Sequence, residues 1–235
     1  GRPGRENQMT TGRSMFIRAM PFLFILSWAS GFPITRLGLE YTEPFTLLWV
    51  RSAIVIAIVG IYALFARFPW PEWKEIGHIA IVGVTLQCLY LGSMFMALDG
   101  NVSQGVAALV AGMQPLLTAA VVGFALGERI NRVQWVGFTL GFIGLFIVLS
   151  ERMGVGTATT TGLVFAGLTP IFITFGSLYQ KKFCANSDLR VVMIVQQTAA
   201  GFCNFCIAMA IETGEIEWSS ELIFTWIWLV FILTI

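Results

Sequence analysis

The sequence predicts an all-α membrane protein, a polytopic helical bundle, and three observations carry that expectation. Of its 235 residues, 57% are hydrophobic and only 11% are charged, against roughly 25% charged residues in soluble domains. The mean hydropathy is +0.80. Charge is also confined, because long apolar runs alternate with short polar stretches that hold nearly all the Lys, Arg, Asp and Glu, as repeated bilayer crossings require.

About 20 apolar residues are needed to cross ~30 Å of hydrocarbon at 1.5 Å per residue. Eight segments are expected to do so: Phe16–Leu37, Pro44–Ala66, Ile76–Leu98, Ser103–Leu126, Val133–Leu149, Gly162–Gln180, Leu189–Ile211 and Leu222–Ile235. Residues 1–15 form a polar tail ahead of them. The first segment runs past the length of a signal-peptide core without a small-residue cleavage site, so it is expected to remain as a membrane helix. The eighth ends in an apolar run with no polar flank, so truncation within that span is expected.

Loop charge orients the chain. Arg2, Arg5, Arg13, Arg18, Arg67, Lys74, Arg129, Arg132, Lys181, Lys182 and Arg190 fall on one side, eleven of the 14 basic residues. Arg36 and Arg152 fall on the other, and Arg51 lies within the second span. The basic side, with the N-terminus, is expected to be cytoplasmic. The acidic loop Glu212–Glu221 fits the external face but carries little weight.

Internal repetition is the next signal. A gapless shift of 145 residues pairs Gly31 with Gly176 and Arg36 with Lys181, and brings the stretch at Arg51 onto Gln196, Gln197 and Thr198. Five spans is an odd number, so a second five-span unit must enter the membrane from the opposite face, which makes the repeat inverted. The expected layout is a tail over 1–15, a first five-span unit over 16–150 and an incomplete second unit over 162–235, ten spans if complete.

Several function classes are set aside. A net charge of +1 with no block of like charges gives nucleic acid no footprint, so none is expected as a partner. Cys88, Cys184, Cys203 and Cys206 lie in or at the edge of apolar segments and are read as packing residues; the Cys203–Cys206 C-x-x-C has no second Cys or His pair to make a metal site. His78, the single histidine, sits at a span edge without a nucleophile, metal-ligand or acid-pair constellation, which argues against an intramembrane enzyme. No metal and no cofactor are expected.

The chain resembles EamA-type transporters of the drug/metabolite transporter superfamily from Trp28 to its end. The resemblance rests on W-x-S-G-F at Trp28, Ser30, Gly31 and Phe32, on Trp49-Val50-Arg51-Ser52, and on the stretch from Ser103 to Leu109. It is strengthened by Gln114-Pro115, by Leu126-Gly127-Glu128-Arg129, and by Gln134-Trp135-Val136-Gly137 followed by Gly141 and Gly144. It implies a secondary transporter in a bacterial cytoplasmic membrane, usually exporting amino acids or other small metabolites, with two five-span halves around a central cavity. A receptor or assembly subunit without transport is the alternative, and the inverted repeat argues against it.

Candidate substrate-binding residues are Trp28, Ser30, Arg51, Gln87, Tyr90, Gln114, Gln197 and Asn204. Arg51 lies about seven residues into its span, where an unpaired Arg costs at least ~2.5 kcal/mol. It either faces a substrate, or snorkels outward or pairs with Glu40 or Glu43. Gln87, Tyr90, Ser93, Gln114 and Thr118 are expected to point into the bundle, as cavity lining or as interhelical hydrogen-bonding groups. Gln197 and Asn204, with Gln196, make a polar seam on the seventh span. Trp28, mid-span, either stacks on a solute or fills the core. Gly137, Gly141 and Gly144 read as a helix-packing seam, serving the fold or a homodimer. Asp and Glu all fall in the tail, loops or span edges, Asp99 nearest the interior, so no buried acid supports proton coupling. Pro33, Pro115 and Pro170 are candidate flex points.

Overall fold

A computed structural model describes residues 4–65, 70–125, 131, 133, 135–141, 143–144, 147 and 158–234. The motif Leu126-Gly127-Glu128-Arg129, Gln134, and the loop residues Arg67, Arg132 and Arg152 lie outside that set. Among the described residues the regular structure is helical: α1 (Gly4–Gly38), α2 (Pro44–Phe65), α3 (Trp73–Asp99), α4 (Gln104–Ala111), α5 (Gln114–Ala125), α6 (Thr160–Phe183), α7 (Leu189–Ile211) and α8 (Ser220–Phe231). Residues 135–141 are also helical.

Five stretches are long and apolar enough to cross a membrane: Pro44–Tyr62, Trp73–Asp99, Gln104–Val122, Thr160–Phe183 and Leu189–Ile211. They coincide with the second, third, fourth, sixth and seventh predicted spans. The first predicted span lies inside α1, which runs for 35 residues and continues through Pro21 and Pro33. The polar tail is thus helical from Gly4 onward. The eighth predicted segment, Leu222–Ile235, overlaps α8, a shorter apolar helix of 12 residues.

Side-chain caps set several helix starts. Ser103, Thr159 and Ser219 accept from the backbone N–H three residues on, and Asp188 accepts from Arg190 N at 2.9 Å, each satisfying an orphan N–H of the first turn. The Arg190 side chain, bonded to the same carboxylate, holds Asp188 down to about 2.

Two interruptions were hidden in apolar runs. The fourth span breaks at Gly112–Met113, between α4 and α5, because Pro115 has no N–H to offer the preceding turn. Inside α3, Val84–Tyr90 is π-helical, a wider turn that nothing in VTLQCLY announces.

Loops alternate between two ends, as the basic-residue count anticipates. At one end the Glu43 carboxylate accepts from Thr213 N, Thr213 Oγ1 and Gly214 N, and Glu212 accepts from Phe45 N, Thr46 N and Thr46 Oγ1. Tyr41 O accepts from Glu217 N at 2.9 Å, Arg36 Nη1 reaches Leu98 O at 2.6 Å, and Gly100 O accepts from Thr159 N at 2.8 Å. Burial pushes the Glu212 carboxyl up, against the bonds from Phe45 and Thr46 that pull it down. At the opposite end Ser187 donates to Glu75.

The main packing between α1–α3 and α6–α8 joins α2 to α7, α3 to α6, α3 to α7, α1 to α8 and α2 to α8. Exchanging α1 with α6, α2 with α7 and α3 with α8 converts this set of pairings into itself. The backbones come close where glycine permits. A Cβ on Gly83 of α3 would fall 2.6 Å from the Gln196 backbone of α7, and one on Gly201 of α7 would fall 2.9 Å from Ser52 Cβ of α2. The predicted seam on the fifth span is different. Among the described residues a Cβ on Gly141 would meet Leu116 at 2.8 Å, whereas Gly137 and Gly144 meet nothing within 4 Å, so of these three only Gly141 marks a close approach.

Gly83→Val is expected to lower the thermal unfolding midpoint in detergent, by about 1–3 kcal/mol of overpacking, because α7 must retreat from a backbone clash. Gly77→Val, at a position with open space, is the control; equal midpoints for the two variants would show that the α3–α7 approach is not tight.

Candidate substrate cavity

Arg51, one of the three basic residues off the charged side, is 4% exposed. It lies on α2, two turns in from Pro44, and points into the bundle rather than toward the loop. Its Nη2 donates to Gln87 Oε1 at 2.7 Å, and its Nε is buried without a partner. Glu43, one of the expected ion-pair partners, is instead committed to Thr213 and Gly214. The only ion pair among the described residues joins Arg190 to Asp188, so the pairing of Arg51 with Glu40 or Glu43 does not form. The Glu43 carboxylate is held at the helix end by the backbone N–H groups of Thr213 and Gly214.

Gln87 belongs to the π-helical turn of α3, and its backbone carbonyl is approached by Asn204 Nδ2 of α7 at 3.4 Å. Such turns recur at functional sites because they redirect side chains without ending the helix. Around Arg51 and Gln87 lies a cavity of about 270 Å³, close to the lower end of the roughly 300–1,000 Å³ range of ligand pockets. Trp28, Phe32 and Thr35 of α1 line it, with Tyr90, Met94 and Phe95 of α3, Ile173 and Ser177 of α6, and Leu229 of α8 with Leu233 beyond it. Trp28 meets Phe32 edge to face, with ring centres 5.3 Å apart. Both halves of the chain therefore contribute walls.

Of the eight candidate residues, Trp28, Arg51, Gln87 and Tyr90 line this one cavity. Ser30 does not. Its Oγ accepts from Trp228 Nε1 at 2.8 Å and donates to Ser27 O, tying α1 to α8. Gln114 sits one layer out, donating from Nε2 to Ser177 Oγ at 2.9 Å and bordering a separate depression with Thr118 and Lys181. Gln197 and Asn204 are 2% and 0% exposed between helices, with Gln197 Oε1 and Asn204 Oδ1 unpartnered. Both are buried polar residues of α7, and Asn204 lies against the Gln87 backbone carbonyl. Thr35, Ser177 and Leu229 were missed; Ser177 was legible only as the small polar residue one after Gly176, and Leu229 had no signal within an unbroken apolar run.

Other chemistry-bearing residues stand apart. His78 Nδ1 lies 2.8 Å from the Tyr179 hydroxyl and its ring stacks on Phe183 at 4.5 Å, at the end opposite Glu212. All four cysteines are free.

Residues 16–150 match the EamA-like transporter family. The chain belongs to this family. It is similar to a probable amino-acid metabolite efflux pump of Salmonella typhimurium, 24% identical over 174 residues, which are 74% of this chain and 56% of the relative. It is also similar to an uncharacterized inner membrane transporter, YedA, of Escherichia coli, 25% identical over 68% of this chain and 52% of the relative. A third relative, the uncharacterized transporter YdfC of Bacillus subtilis, is 27% identical over 68% of this chain and 53% of its own length. The chain spans about half the length of these curated relatives. Membership of this family, together with five membrane-length apolar helices, makes it a multi-pass integral membrane protein of a transporter superfamily.

The Arg51–Gln87 bond gives a direct test of this geometry. Gln87→Leu leaves a buried guanidinium without its acceptor and is expected to cost about 1–3 kcal/mol of stability. In an Arg51→Met background the same change should cost much less. Thermal unfolding of the four proteins in detergent measures the coupling, and additive effects would show that the two side chains do not interact.

Proposed function

We propose that this protein is a secondary transporter that exports small polar metabolites, amino acids or related compounds, by alternating access, and that it is not an enzyme. The observation that carries the proposal is the cavity itself. It lies where α1, α2 and α3 meet α6 and α8, it contains a buried cation and several aromatic rings, and its walls come from two groups of helices related by exchange. Rocking of one group against the other would expose such a site to each side in turn.

Outward transport is the direction suggested by the relative named as an efflux pump, and the bacterial cytoplasmic membrane by the relative named as an inner membrane transporter. The proposed layout is a cytoplasmic tail over 1–15, a five-span unit over 16–150 and a second, inverted unit beginning at residue 162. The closed exchange of helix pairings supports the inversion. The 11-to-2 split of basic residues between the two loop faces supports a cytoplasmic N-terminus. Homodimerisation through the fifth span is a further proposal, in keeping with the lack of any neighbour to a Cβ on Gly137 or Gly144 among the described residues.

The test is metabolite profiling of cells expressing the protein, a Trp28→Ala variant or no protein. A compound that rises in the medium and falls in the cytoplasm with the intact protein identifies the substrate, and Trp28→Ala is expected to cut its efflux roughly tenfold at unchanged membrane abundance. Gln114→Ala should have a smaller effect, since Gln114 touches Ser177 and not the cavity. Accumulation inside instead of outside would reverse the direction. Solute binding without flux in vesicles holding only the purified protein would replace transport by a receptor role.

A further inference from the structure

Arg51 brings to the cavity a charge that no described group balances. Its guanidinium is bonded to a neutral amide, its Nε has no partner, and the cavity lining contains no Asp, Glu, Lys or His. Away from Arg51, Gln87 and a few hydroxyls, the walls are apolar, with Trp28, Phe32, Met94, Phe95 and Leu229 around the space. The site therefore combines one fixed positive charge with an extensive hydrophobic surface.

We propose that the solute held here is an amphipathic organic acid, one carboxylate seated on Arg51 and a ring or branched-chain body lying against Trp28, Phe32 and Phe95. The inference rests on the cavity's being the transport site and, among amino acids and related compounds, favours the related acids that lack the ammonium group. A guanidinium with free donors matches a carboxylate in both charge and planar geometry. In a water-poor interior the acid supplies the counter-charge that the protein does not. A cationic solute would meet Arg51 at close range with no carboxylate to receive it. A sugar would leave the charge unbalanced and the apolar walls unmatched. A zwitterionic amino acid falls between, because its carboxylate is matched while its ammonium finds only rings and amide oxygens.

Calorimetric titration of the purified protein in lipid nanodiscs tests this. The probes are phenylacetate, indole-3-acetate and 4-methylvalerate, each beside its own carboxamide, with phenylalanine and phenethylammonium for comparison. At least one acid is expected to bind more tightly than its amide by roughly 30-fold or more, phenylalanine more weakly than phenylacetate, and phenethylammonium not at all. In Arg51→Gln the acid-to-amide ratio should collapse to near one, while Arg51→Lys should retain a reduced preference. Removing a buried charge does not threaten insertion, and retained amide binding by Arg51→Gln reports an intact cavity. The proposal is overturned if no acid outbinds its amide, if phenethylammonium binds as well as the acids, or if Arg51→Gln keeps the acid preference. Flux of the same probes in proteoliposomes separates the two levels. Acid-selective binding without flux removes the transport assignment and leaves this inference standing, whereas flux without acid preference does the reverse.

Discussion

A guanidinium cannot escape burial by losing its proton, so a helix that carries Arg51 into the bundle interior must find it an acceptor. The structure supplies Gln87, and much of the interhelical arrangement follows from that bond. Gln87 is presented by a π-helical turn in α3, and the carbonyl of the same residue is approached by Asn204 of α7. Three helices are thereby tied at one point. That point is reachable only because Gly83 lets α3 onto the backbone of α7 and Gly201 lets α7 onto Ser52 of α2. In lipid, where hydrophobic burial does not by itself hold helices together, close approach and a few polar bonds decide which helices pair.

The two ends of the bundle are fastened unequally. At one end Glu43 and Glu212 act reciprocally: each carboxylate accepts three bonds from the segment that carries the other. Glu212 sits at the N-terminus of α2, where the helix dipole also favours a negative charge. The opposite end is held, among the described contacts, by Ser187 on Glu75 and by the ring cluster of His78, Tyr179 and Phe183. For the proposed rocking motion the first end is the one whose opening breaks more charge-assisted bonds among the described contacts, so its closed form is the costlier to leave. Alternation then requires that something gained in the open form offset those six bonds.

Most of the architecture was legible because bilayer thickness and hydrophobic run length are directly coupled. α7 matches its predicted bounds at both ends, and α2 begins at its predicted first residue, Pro44. What escaped were departures from regular helix that leave hydropathy unchanged. The break at Gly112–Met113 was foreshadowed by Pro115, whose missing N–H is a sequence feature; the π turn had no such marker. The cavity was half legible. Polar residues inside spans are expected to point inward, as Gln87, Gln114, Gln197 and Asn204 do toward other helices, but that rule cannot separate a residue facing a cavity from one facing another helix. Gln114 and Asn204 fall on the second side of that division. Apolar lining residues such as Leu229 carry no mark at all, since a wall and a core are built from the same side chains.

The proposed inverted repeat bears on where the cavity sits. Under the 145-residue shift Gly31 and Gly176 are mates, and each is a close approach. A Cβ on Gly31 would meet Leu233 just beyond α8, and one on Gly176 would meet Leu86 of α3, so the mates contact helices that are themselves exchanged. The mate of Arg51 is Gln196, and here the correspondence ends. Gln196 is buried, neutral, has its Nε2 unpartnered, and does not line the cavity. Two guanidinium groups facing each other across the α2–α7 pair would repel in a low-dielectric interior, so a paired arrangement tolerates the charge on only one of the two helices. The asymmetry of a single Arg thus breaks the exchange and places the polar end of the cavity on the α2–α3 side of the bundle.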